Sequence, residues 1–336
     1  MVAVGAGIGS IRDVGQRHKT IDWLPAARGV GIMSVVAGHV FSSPAAHRAL
    51  FMFHMPLFFM LAGMTFSVRP TLDTAKRRAS SLLVPYASWL ILLALFDFVL
   101  AGVRHSRTVL PFYTVSGTVE RLLFGGEALK DIYGVFWFVT CLYLTQIAVT
   151  ICAQRWGPPR LERRWAGSIV VALIAAYSIP KILSPWDILV VPMAFVLVVA
   201  GAMYRRYDLA DTAPAIWMGA ATAAAIVGWL FLNPMDMKYV IYGTPVLTLF
   251  AAISISHLVC VASAKLWTVP GIGPLLAALG RASFVIMFAH NAVRFALIGL
   301  LPESVIWLLG MFIPWVIWIV ARRSELLTRL LLGGRA

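Results

Sequence analysis

Apolar residues fill this chain in runs of about twenty, enough to cross roughly 30 Å of hydrocarbon as α-helix, while polar residues collect between the runs. Ten such segments are predicted, at approximately 24–41, 50–67, 82–102, 134–152, 167–182, 188–204, 213–233, 240–262, 283–301 and 304–321. The pattern predicts an all-α polytopic membrane protein with about ten transmembrane helices. Only Ser184-Pro185-Trp186-Asp187 divides the fifth segment from the sixth, so that point is either a tight reversal or a broken helix. The longest connection, Val103 to Tyr133, has room for a short helix or a re-entrant segment. No repeat appears, and nothing outside the apolar runs is large enough for a second domain. Residues 1–20 read as an N-terminal tail, 21–322 as the membrane domain and 323–336 as a basic C-terminal tail.

Composition agrees with the pattern: 60% of residues are hydrophobic and only 12% charged, far from a soluble domain of 336 residues. The formal charge of +14 would point to nucleic acid in a soluble protein. Here the basic residues lie between apolar runs, so the expected partner is the lipid bilayer and no nucleic acid is expected. Their placement also gives an orientation. One set of alternate connections carries Arg69, Lys76, Arg77 and Arg78, then Arg155, Arg160, Arg163 and Arg164, then Arg205 and Arg206, then Lys265 and Arg281. Both tails are basic as well, whereas the opposite connections hold only Arg48, Arg104, Arg107, Arg121, Lys130, Lys181 and Lys238. By the positive-inside rule both termini are expected in the cytoplasm. Cys141, Cys152 and Cys260 show no C-x-x-C spacing and read as packing residues. Met1–Ile11 is apolar but precedes its basic residues, the reverse of a cleavable signal, and Gly5, Gly7 and Gly9 lack the strand that a dinucleotide fingerprint requires.

Ionisable side chains inside such segments are costly, about 2.5 to 3.5 kcal/mol each on insertion scales, and are candidates for function. Arg28 and His39 are eleven positions apart in the first segment. On a helix that is a net rotation of roughly 20° and a rise of about 16 Å, so the two share a face three turns apart. His54 enters the second segment near the end at which His39 leaves the first. His290 and Arg294 share a face of the ninth segment, with Asn291 beside them. A lone buried histidine is equally well explained as a ring satisfied by a neighbouring carbonyl, and Arg28 as a snorkelling anchor. The histidines lie on separate helices without a carboxylate cluster, so no metal site is expected.

Ile21-Asp22-Trp23-Leu24 leading into Arg28, ten residues before His39, followed by Phe53-His54-Met55-Pro56-Leu57-Phe58-Phe59 and Gly63, resembles the membrane-bound acyltransferase-3 family, whose hallmark is this Arg-x10-His spacing. The likeness continues through Leu83-Val84-Pro85-Tyr86, Phe136-Trp137-Phe138, Pro192-Met193-Ala194-Phe195 and Leu279-Gly280-Arg281-Ala282-Ser283, from about residue 20 to 320. Its nearest branch is that of sugar O-acetyltransferases similar to fucose 4-O-acetylases. Where relatives often carry an Arg-x-x-Arg pair, this chain reads Lys76-Arg77-Arg78.

The resemblance implies an integral-membrane O-acyltransferase of the bacterial plasma membrane. It would move an acyl group, acetyl by default, from cytoplasmic acyl-CoA to a hydroxyl of a cell-surface glycan or glycolipid. Acetyl-CoA would be a donor substrate, with no permanently bound cofactor. On this view Arg28, with Lys76, Arg77 and Arg78, holds the donor phosphates. His39 is the general base, His54 orients it or receives its proton, and His290, Asn291 and Arg294 lie toward the substrate, the last two placed to stabilise an oxyanion. Two other classes fit parts of the pattern. A carrier or exporter of a glycan or lipid-linked sugar would also bury ionisable groups but consume no acyl-CoA. A haem protein would use His39, His54 or His290 as axial ligands.

Overall fold

The computed structural model describes residues 21–110, 114–212 and 214–334, so the N-terminal tail at 1–20 lies outside the described residues. The first helices are α1 (Leu24–Val40), α2 (Pro44–Phe51), α3 (His54–Met64), α4 (Thr71–Arg78) and α5 (Val84–Val103). A π-helical turn at Ala79–Leu83 joins the last two. Then come α6 (Val115–Phe124), α7 (Phe136–Trp156), α8 (Arg163–Ser178), α9 (Val191–Arg206), α10 (Leu209–Thr212) and α11 (Ala215–Phe231). The last are α12 (Leu247–Leu266), α13 (Ile272–Leu297), α14 (Glu303–Ala321) and α15 (Glu325–Leu332). No strand occurs among the described residues, and Asp236 and Ile241 form an isolated antiparallel bridge.

Among the described residues seven helical stretches are long and apolar enough to cross a membrane: Pro44–Met64, Thr71–Val103, Asp131–Trp156, Pro185–Arg206, Leu247–Leu266, Ile272–Leu297 and Glu303–Ala321. The helices α1 and α11 are apolar but shorter. Large apolar side chains stand exposed on the outer faces, among them Ile91, Leu95 and Phe98 of α5, Val171 and Ile174 of α8 and Phe231 of α11. Lipid is the solvent that such faces require. The chain is a multi-pass membrane protein.

Several predicted boundaries move, each for a local reason. The second segment starts earlier, at Pro44, and is broken at Met52–Phe53. The eighth begins helix at Leu247 instead of 240, because Val240, Gly243 and Val246 take positive φ. The ninth starts at Ile272, eleven residues early: Gly280 and Arg281 lower the local hydropathy without interrupting the helical hydrogen bonds. The connection after Val103 contains α6 and two 3-10 turns. At Ser184–Asp187 the chain reverses through positive φ at Trp186 (55°) and Asp187 (52°). Beyond Ala321 the chain is not simply a tail. Ser324 caps α15, whose buried Leu331 and Leu332 pack toward α5, and the Leu331 carbonyl accepts from Trp89 Nε1 at 3.2 Å.

Two close helix crossings set the interior. At the crossing of α1 and α13, a Cβ on Gly29 would collide with the Leu276 carbonyl and one on Gly280 with the Pro25 carbonyl. The same reciprocity holds where α3 crosses α9, with Gly63 against Val198 and Gly201 against Met60. Only glycine lets the backbones approach this closely. The α1–α13 crossing brings the later histidine of α13 alongside that of α1.

Candidate active site

Three histidines repeat one local device. An imidazole in an apolar helix has no water, and the nearest acceptor is the carbonyl one turn back. Nδ1 of His39 lies 2.9 Å from the Val35 oxygen, Nδ1 of His54 2.6 Å from Leu50 and Nδ1 of His290 2.8 Å from Ile286. Each Nδ1 therefore carries the proton and donates it, which leaves Nε2 an acceptor in the neutral ring. Nε2 of His290 lies 3.2 Å from Nδ1 of His39, so the His39 N–H is shared between the Val35 carbonyl and His290. The side chain within hydrogen-bond distance of His39 is thus His290. His54 stands farther off, its ring centroid 6.5 Å from that of His39 against 5.0 Å for His290. Nε2 of His39 has no partner among the described residues, and the ring lines a cavity.

This histidine cavity, about 300 Å³, is also lined by His54, Trp137, Asp236, Lys238, Asn291 and Arg294. Asn291 donates to the Asp131 carbonyl at 3.2 Å, and Nε of Arg294 is buried with no hydrogen-bond partner among the described residues. The segment between α11 and α12 contributes a turn that carries Asp236 and Lys238. Lys238 is buried and donates to the Leu129 carbonyl at 2.7 Å, tying that turn to the connection before α7. Burial holds its ammonium below the usual lysine range, against the opposing pull of Asp187 and Asp236. Burial likewise raises the Asp236 carboxyl above its ordinary value, opposed first by Lys238.

A second cavity, about 320 Å³, surrounds the other end of α1 and is lined by five guanidinium-bearing residues, Arg28, Arg69, Arg77, Arg78 and Arg281. Arg28, Arg77 and Arg281 meet no carboxylate among the described residues, where Arg160–Glu162 is the ion pair within salt-bridge distance. Lys76 is exposed and does not line the cavity. The two cavities share three lining residues, Phe58, Phe138 and Met287.

Of the residues that sequence reasoning named, Arg28, Arg77 and Arg78 line one cavity and His39, His54, Asn291 and Arg294 the other, while His290 is fully buried beside His39 and lines neither. Sequence reasoning did not name Arg69, Arg281, Asp236, Lys238 or the shared apolar residues as site residues. Arg281 and Phe58 stand inside the quoted motifs, whereas Asp236 and Lys238 carry no local signal.

A profile described as an acyltransferase domain, of acyltransferase-3 type, matches residues 21–321. The chain belongs to the acyltransferase-3 family. It is therefore a membrane acyltransferase, and the matched region runs from just before α1 to the end of α14, holding every residue that lines the two cavities except Leu332. No curated protein and no solved structure gives a significant match.

Proposed function

We propose that this acyltransferase-3 protein moves an acyl group, by default acetyl, from cytoplasmic acyl-CoA to a hydroxyl of a cell-surface glycan or glycolipid. The setting is the bacterial plasma membrane, with ten crossings and both termini in the cytoplasm. The observation that carries the reading is the pair of cavities end to end along α1. One is lined by arginines and the other by histidines, and three apolar side chains lie between them.

The guanidinia of Arg28, Arg77 and Arg281, which meet no carboxylate among the described residues, suit the phosphates and diphosphate of coenzyme A. The rise of about 16 Å from Arg28 to His39 is of the order of an extended pantetheine arm, so a donor anchored at Arg28 presents its thioester near His39. The acceptor hydroxyl enters the histidine cavity. Nε2 of His39 takes the hydroxyl proton as the oxygen attacks the acyl carbon, the resulting imidazolium keeping Val35 and His290 as acceptors for its other N–H. Arg294 and Asn291 face the cavity in which the oxyanion forms. When the carbon–sulfur bond breaks, the imidazolium returns the proton to the thiolate, and an ester and free CoA leave.

The test is labelled acetyl-CoA supplied to membranes containing the protein or its His39→Ala variant. The wild type should consume acetyl-CoA and form glycan ester in equal amounts, and the variant should insert normally while losing at least about 100-fold in rate. Glycan export without acyl-CoA consumption would replace this reading by the carrier, and full activity of His39→Ala would remove the base.

A further inference from the structure

The same reading, that an acyl thioester travels from one cavity to the other, gives the three shared residues a task. Phe58, Phe138 and Met287 line both cavities, and no polar side chain is common to the two. They come from three helices, α3, α7 and α13, and so meet across the interior. Phe138 and Met287 are 6% and 8% exposed. The Phe58 ring is half-buried, with its centroid 6.1 Å from that of Phe138 in an edge-to-face arrangement. Behind it lies Gly31 of α1, between Arg28 and His39, where an added Cβ would come within 3.1 Å of Phe58 Cε2 and 3.2 Å of Leu57 Cδ2.

We propose that Phe58, Phe138 and Met287 form a side-chain gate on the donor's path, backed by Gly31, and that its bore fixes the largest acyl group the enzyme transfers. The acyl group leads the arm, so it is the first part to meet the gate and must lodge beside it while His39 acts on the acceptor. Phenylalanine and methionine open by rotation about their own side-chain bonds, without backbone movement. A straight thioester arm can pass between them as a thread, whereas each methylene added to the acyl group must find room among three bulky side chains. The notch at Gly31 is occupied by Phe58. A methyl group there displaces the ring by a few tenths of an ångström away from α1, into a space bounded by Phe138. Removing bulk from Phe58 or Met287 does the opposite.

The experiment uses the full-length protein in nanodiscs with acetyl-, butyryl- and hexanoyl-CoA, and a methyl glycoside as the soluble hydroxyl probe. Thiol release reports both transfer and hydrolysis, in which water attacks the acyl carbon and CoA thiol leaves with a proton. The quantity read is the ratio of butyryl to acetyl kcat/KM. One or two methylenes in an apolar pocket are worth roughly tenfold or more in discrimination, so Phe58→Leu and Met287→Ala should each raise the ratio about tenfold. Gly31→Ala should lower it by a similar factor. Partial misfolding reduces both rates together and cannot move the ratio in opposite directions, and binding of desulfo-CoA confirms an intact arginine cavity. An active wild type whose ratio stays put in all three variants overturns the gate and leaves the acyltransfer reading intact. A wild type that releases no thiol from any acyl-CoA overturns that reading and the gate together.

Discussion

At the level of single residues, the site rests on a division of labour that substitutions can separate. Arg28 is a binding group on the proposed path. Its truncation to Ala should raise KM for acyl-CoA about tenfold to a hundredfold, the worth of a charge-assisted hydrogen bond, with kcat little changed. Lys at that position should recover part of the loss but not the bidentate geometry. On the same proposed path His290 is a positioning residue. It contributes an acceptor that holds the His39 N–H toward α13 and so keeps the free Nε2 toward the cavity. His290→Phe should lower kcat with KM for acyl-CoA unchanged, while His290→Gln, which keeps an acceptor, should restore part of the rate. Initial rates over a range of acyl-CoA concentrations check both, and a changed KM in His290→Phe would place that ring in donor binding instead. The Arg28–His39 relation was legible in the sequence because it depends only on helical period. The His39–His290 contact was not, since the two are 251 positions apart and meet through the glycine crossing of α1 and α13. Arg281 was counted for topology, yet its place beside Arg28 depends on that same crossing.

Among the elements, the crossing of α1 with α13 and the turn carrying Lys238 hold the two cavities in place. Gly280→Ala puts a methyl group against the Pro25 carbonyl, where backbone must yield, and should cost about 1–3 kcal/mol. A lowered thermal midpoint in detergent checks this, and an unchanged one would show that the helices can separate freely. Lys238 gives a pH dependence. Its ammonium titrates below the usual lysine range when folded, so between that lowered value and the ordinary 10.5 the unfolded chain binds the extra proton. Stability contributed by this group therefore rises with pH across that alkaline window, and Lys238→Met should remove the rise. The thermal midpoint measured from neutral to alkaline pH decides it. Hydropathy located helices well where lipid surrounds them, as in α5 and α14. It misplaced the starts of α12 and α13, because Val240, Gly243 and Val246 take positive φ inside an otherwise apolar run, and because Gly280 and Arg281 sit in a helix that a hydropathy window opens too late.

Across the whole molecule, a membrane acyltransferase with arginines at one end of α1 and histidines at the other makes a sided reaction. The direct measurement is labelled acetyl-CoA added to inverted and to right-side-out membrane vesicles from cells making the protein, with ester label then read on the glycans of each. The orientation proposed from the positive-inside rule would put the arginine cavity on the bath side of inverted vesicles. Label should therefore enter glycans enclosed in inverted vesicles and be absent from right-side-out vesicles until they are permeabilised. Equal labelling in both preparations, or labelling of intact right-side-out vesicles alone, would contradict passage of the acyl group from the Arg28 side to the His39 side.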